Sequence, residues 1–292
     1  MYIDISTIYK TVCSTNLTPF ARSRKQVSQT GWRNTGLIIF SGLAILVVSL
    51  VLYLSGEFTN LLSFATVLTP TVALLLGIAG LNAFGRESLV KDDRFQALNV
   101  WMALGLVIFS LSEITGAIIH FTDNTNQICF TVGFVQMPAL LLWGLGVLGY
   151  LQSSNSALGV STGNRMWPLI IIVASMVGLV MVVVVTLFNP AQNLLFTIIS
   201  VPMVVGLGVI LFAIGSLLWT FRSGLIVRPL ILLFLGVLLF FIRSLFWSFV
   251  NYCPGTPFDN VTAIESYILI GASIIAASKL DEVYDIIEEN EE

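Results

Sequence analysis

Eight apolar runs, each long enough to cross a lipid bilayer as a helix, leave this chain of 292 residues almost nothing with which to build a soluble domain. They fall at about 35–55, 61–84, 96–120, 129–151, 167–188, 194–219, 229–250 and 262–279. A spanning helix needs about 20 mostly apolar residues, whereas each strand of a membrane barrel needs about ten of alternating polarity. The runs therefore predict an all-α fold, a polytopic transmembrane helical bundle of eight spans. Composition agrees, with 57% of residues hydrophobic and 10% charged, against about 25% charged in a soluble globule. The implied partner is the lipid bilayer. A formal net charge of -3 is too small to suggest a nucleic-acid partner.

Residues 1–34 are polar and show neither a short apolar core nor a small-residue cleavage site ahead of the first span, so no removable signal peptide is expected. Orientation follows from Lys and Arg, which are retained on the cytoplasmic side. With the N-terminus inside, the inner segments hold twelve of the 13 bases, and the remaining one, Arg243, lies within the seventh span. The connections near 56–60, 121–128, 189–193 and 251–261 hold none. Both termini are predicted to be cytoplasmic, with the chain in the plasma membrane.

The second half repeats the first in order. At an offset of 132, Arg33 falls on Arg165, Leu62 on Leu194, Phe64 on Phe196 and Pro70 on Pro202. At 131, Leu104-Gly105 falls on Leu235-Gly236 and Phe109 on Phe240; at 127, Leu142 and Gly144 fall on Leu269 and Gly271. Four spans per unit is an even number, so the copies would lie the same way up, as a parallel 4+4 duplication. The expected organisation is a cytoplasmic N-terminal segment (1–34), a first four-helix repeat (35–151), a linker (152–166), a second repeat (167–279) and an acidic tail (280–292). Pro70, Pro138 and Pro202 each fall inside a span, where proline frees a carbonyl and kinks the helix.

Ionisable side chains in hydrocarbon cost at least about 2.5–3.5 kcal/mol and ask for a partner or a wet cavity. Glu113, Arg243 and Glu265 stand in the spans. At 1.5 Å per residue, Glu113 and Arg243 both lie about 10–12 Å below the outer surface. The duplication puts position 112 on 243 and 113 on 244, so the two face each other across the axis between halves. A Glu113–Arg243 ion pair is expected, with Glu265 as a second acceptor for the guanidinium fork. Gln136 and His120 share the outer half with them. The cluster reads as a register lock, as a polar ligand pocket or as a proton or ion relay.

Cys129 and Cys253 fall at the outer surface, where a disulfide is permitted, and Cys13 falls inside. Whether Cys129 and Cys253 bond or stay unpaired depends on whether their Cα atoms come within about 7 Å. One histidine and three cysteines give no metal site, and no cofactor is implied. Trp32, Trp101, Trp167, Trp219 and Tyr252 fall near span ends as an aromatic belt, whereas Trp143 and Trp247 are deeper. The string Gly144-Leu145-Gly146-Val147-Leu148-Gly149 matches GxGxxG but lacks the strand that a dinucleotide site requires. The Asn260-Val261-Thr262 sequon abuts the membrane and reads as chance. No HExxH, GxSxG or Walker A string occurs, which argues against an enzyme.

Ile5, Ile8, Tyr9 and Val12 recur at helical spacing, as a helix on the inner surface would. In the tail, Leu280, Val283, Tyr284 and Ile287 line one face among acids, either a solvated end or a docking segment for a basic cytosolic protein or for the chain's own Arg-rich inner loops. In architecture alone the chain resembles multi-span sensory modules of signalling proteins. The leading expectation is a non-enzymatic, sensor- or receptor-like membrane protein with an outer-half pocket. The alternatives are a small-solute transporter and a structural or assembly subunit of a membrane complex.

Overall fold

The computed structural model describes residues 17–84, 94–122, 128–157, 163–188, 194–222, 225–250 and 256–289. Among them are eight helices: α1 (Leu17–Leu54), α2 (Phe58–Phe84), α3 (Arg94–Phe121), α4 (Ile128–Ala157), α5 (Gly163–Phe188), α6 (Leu194–Thr220), α7 (Val227–Val250) and α8 (Pro257–Glu289). Seven are long and apolar enough to cross a membrane; in α5 the described apolar stretch is the shorter Pro168–Val183. Phe40, Leu43 and Val51 of α1 and Ile171, Met176 and Leu179 of α5 are exposed, as side chains facing lipid should be.

Six helices close into a ring in the order α2, α3, α4, α6, α7, α8, each packed on the next and α8 on α2. Outside the ring, α1 lies against α8 and the edge of α2, and α5 lies against α6. Sequence neighbours run antiparallel: Gly105 of α3 meets Ala139 and Trp143 of α4, while Leu98 meets Gly146. The ring is completed by two parallel contacts. Thr66 of α2 meets Asn260 of α8 and Leu76 meets Gly271, while Gly133 of α4 meets Ile199 of α6 and Leu140 meets Gly206.

Small residues set these spacings, because a side chain would collide across the seam. A Cβ on Gly236 would stand 2.6 Å from Ile270 Cγ1 and 3.0 Å from the Ser266 carbonyl oxygen. One on Gly105 would collide with the Trp143 indole. Within the GxGxxG string, Gly146 serves such a contact, whereas Gly144 and Gly149 face open space. Aromatic rings fill the middle of the ring of helices: Phe109 lies 4.6 Å from Trp143 and 4.8 Å from Phe240 between centroids, both tilted. The Trp143 indole N–H donates to the Met102 carbonyl at 3.1 Å.

Pro70, Pro138 and Pro202 lie within continuous helices α2, α4 and α6; Pro70 is buried and the other two are exposed. One helix boundary departs from expectation with consequences. The last span begins at Pro257, not 262, so Asp259 and Asn260, expected in a loop, lie in the first turn of α8.

Candidate functional site

The start of α8 explains itself locally. Thr256 caps the helix, its Oγ1 accepting the Asp259 N–H at 3.2 Å, and Pro257 takes the first helical position, where its missing N–H costs nothing. Asp259 therefore falls at the third position, a favourable place for a carboxylate near a helix N-terminus. Asn260 fastens the same turn to α2: its amide donates to Thr66 Oγ1 at 3.0 Å, and Thr69 Oγ1 donates to its carbonyl at 3.4 Å. Asn260 is buried by these contacts, so its sequon is not presented at the surface.

Across from that turn, α7 presents Arg243, 2% exposed. Its Nε and Nη2 donate to the two oxygens of Asp259 at 2.7 and 3.0 Å, a bidentate fork. On the other side Nη1 donates to Glu113 Oε1 at 2.8 Å, with Nη2 3.5 Å from Oε2. The Tyr267 hydroxyl donates to Glu113 Oε1 at 2.7 Å. The guanidinium carbon stands 5.2 Å from the Phe240 ring centroid, which adds a cation–π contact. One arginine is thus shared by carboxylates from α3 and α8, all buried. Isolated in hydrocarbon each charge would be costly; here each has a charge-assisted partner.

Glu113 and Arg243 come together, but Glu265 is not the second acceptor. Asp259 holds that place because α8 starts early enough to bring it opposite the guanidinium. Glu265 lies further along α8 against α1, where a Cβ on Gly42 would be 2.9 Å from its Oε2. Its Oε1 is buried with no hydrogen-bond partner among the described residues. Gln136 is likewise buried with neither amide atom bonded among the described residues. His120 is partly buried in the last turn of α3, against Phe121. The Cys129 side chain and Cys253 lie outside the described residues, as do residues 2–14 and the side chains of the acidic tail.

Beside the cluster is a partly open cavity of about 720 Å³, between α1 and α7 and over the first turns of α8. Leu46, Ser49, Leu50 and Tyr53 of α1, Phe58 and Leu61 of α2, Phe246 of α7, the capping Thr256, and Pro257, Phe258 and Val261 of α8 form its walls, with Arg243 and Asp259 as its charged side. Ser49 is 5% exposed, and its hydroxyl has no hydrogen-bond partner among the described residues. All of these residues lie toward the end of the bundle that carries the α1–α2 turn at Gly56, where φ is +77°. Among the described residues no three His, Cys, Asp or Glu side chains gather as metal ligands.

Asp259 and Tyr267 escaped the sequence reading. The signal for Asp259 was Thr256-Pro257-Phe258-Asp259, a capping residue, a first-position proline and an acid at the third position. With Asp259 on the helix, Tyr267 follows two turns later on the same face.

No family model matches the chain, and neither does any curated protein or solved structure. Fold and composition by themselves define the class: an all-helical, multi-pass integral membrane protein.

Proposed function

We propose that this is a non-enzymatic, receptor-like membrane protein that binds a ligand in the cleft beside Arg243 and Asp259 and reports through the opposite end of the bundle. The observation that carries this is the cleft itself: about 720 Å³ is within the roughly 300–1,000 Å³ of small-molecule sites, and its apolar walls end on a buried charge cluster. A route for reporting exists, since α8 starts at the cluster and continues for 33 residues to Glu289, about 50 Å. The Gly56 end would face outward, because its connections hold no Lys or Arg, leaving both termini cytoplasmic. A basic cytosolic protein docking on the acidic tail is the partner this arrangement favours.

A parallel 4+4 duplication underlies the bundle in this reading, and the helix register supports it. Shifting α3 by 131 and α4 by 127 turns Gly105–Ala139 into Gly236–Ser266, Leu98–Gly146 into Pro229–Ser273, and Ser112–Val132 into Arg243–Asp259. Each is a contact between the paired helices. The parallel contacts α2–α8 and α6–α4 exchange under the same operation. This twofold character also favours the second reading, a small-solute transporter. Against it stands the cleft, whose lining residues all come from the Gly56 half of the spans.

The experiment is hydrogen exchange and thermal unfolding of the protein in nanodiscs with a panel of cationic, anionic and neutral amphiphiles. A ligand should raise Tm and protect α8 amides in the wild type but not in Ser49→Phe, which sets a bulky ring on the α1 wall of the cleft. Uptake of the same compound by proteoliposomes would favour transport. No compound sensitive to Ser49→Phe would leave the cluster as a structural lock.

A further inference from the structure

Charge and wall chemistry narrow what the cleft can hold, and this step rests on the cleft being a ligand site. Two carboxylates, Glu113 and Asp259, share one guanidinium, so the ionised cluster carries one negative charge in excess. Nothing at that end of the chain offsets it: the connections 55–57, 122–127, 189–193 and 251–256 contain no Lys or Arg but do contain Glu57 and Asp123. The cleft itself is lined by one cation, Arg243, and one anion, Asp259, and Glu113 behind the guanidinium tips the local field negative, which between low-dielectric walls concentrates a cation. The walls themselves favour a cation. Tyr53 and Phe58 meet edge to face at 5.5 Å, and Phe246 and Phe258 do so at 5.3 Å. All four rings line the cleft, and ring faces attract ammonium groups. An anion would meet that net negative field, and a wholly apolar guest would leave it unmatched.

We propose that the cleft between α1 and α7 binds an organic ammonium ion on an apolar body, with the cation toward Asp259 and the body along the aromatic walls. The ammonium can belong to a soluble amine or to the headgroup of a bilayer lipid; the binding chemistry is the same.

The test is equilibrium binding of decyltrimethylammonium, decyl sulfate and decanol, below micelle formation, to the full chain in phosphatidylglycerol nanodiscs. The expected result is saturable binding of the ammonium alone, weakened about tenfold by Asp259→Asn and abolished by Ser49→Phe. Should Asp259→Asn not fold, Tyr53→Leu should weaken the ammonium about threefold through loss of a ring face. Equal binding of sulfate or decanol, still abolished by Ser49→Phe, would overturn the ammonium assignment while keeping the cleft as a site. No binding sensitive to Ser49→Phe would overturn the site itself. Repeating the isotherm at equal phosphatidylglycerol content, with the remaining lipid either phosphatidylcholine or an uncharged glycolipid, separates the sources within a supported proposal: weaker probe binding with phosphatidylcholine identifies the lipid headgroup as competitor, equal binding a soluble amine.

Discussion

Two corners of the bundle share a helix register and differ in chemistry. Where α3 meets α4, the Ser112 hydroxyl donates to the Val132 carbonyl at 3.0 Å. At the matching place between α7 and α8, Arg243 grips both oxygens of Asp259. Deeper in the two seams the backbones approach in the same way: Gly105 lies against the Ala139 carbonyl and Gly236 against that of Ser266. Still deeper, the Leu98 carbonyl faces Gly146, while the Pro229 carbonyl accepts the Ser273 hydroxyl at 2.7 Å. A neutral hydrogen bond is therefore enough to seat a helix pair of this geometry. On the proposed reading the ion cluster is an addition to a packing that stands without it, and it is the charged corner, not the neutral one, that borders the cleft.

The widest separation between the corners should come from Arg243→Met, which leaves Glu113 and Asp259 buried without a counter-charge. Its cost should be about 3–5 kcal/mol, read as unfolding in a denaturant titration in mixed micelles. A cost no larger than that of Ser112→Ala would mean the corners are energetically alike. Next comes Tyr267→Phe, which removes a hydrogen bond to the Glu113 carboxylate and should cost about 1.5–3 kcal/mol. Gly105→Ala and Gly236→Ala should each cost about 1–3 kcal/mol through overpacking; similar values sharpen the match in register, and a loss at only one seam breaks it. Ser112→Ala is the smallest, at about 1 kcal/mol.

How far these corners were legible in the sequence depends on contrast. Glu113 and Arg243 stand out because each interrupts an apolar run, and an offset of 131 lines up the two stretches of sequence that hold them. Seven of the eight expected spans are long, apolar helices, since length and hydropathy suffice to find them. Asp259 had no such contrast. It follows Pro254, Gly255 and Pro257 and precedes Asn260, a polar neighbourhood that hides a helix start among turn signals. Glu265, four residues after Val261 in clear apolar context, drew the assignment that belonged to Asp259. The cleft was invisible because it depends on α1 and α7 flanking α8 without filling the space between them, a tertiary arrangement that no local pattern encodes.

The charges can be separated from the fold by neutralising the cluster as a unit. In Glu113→Gln/Arg243→Met/Asp259→Asn no unpaired charge remains, and replacing a buried ion cluster whole is often nearly neutral for stability. The decisive measurement is the decyltrimethylammonium isotherm of this triple variant in nanodiscs, taken beside its Tm. The expected result is a Tm close to that of the wild type with saturable binding lost. Binding that persists in the folded variant, or a variant that no longer folds, would contradict a ligand-directed role and leave the cluster as a lock between helices.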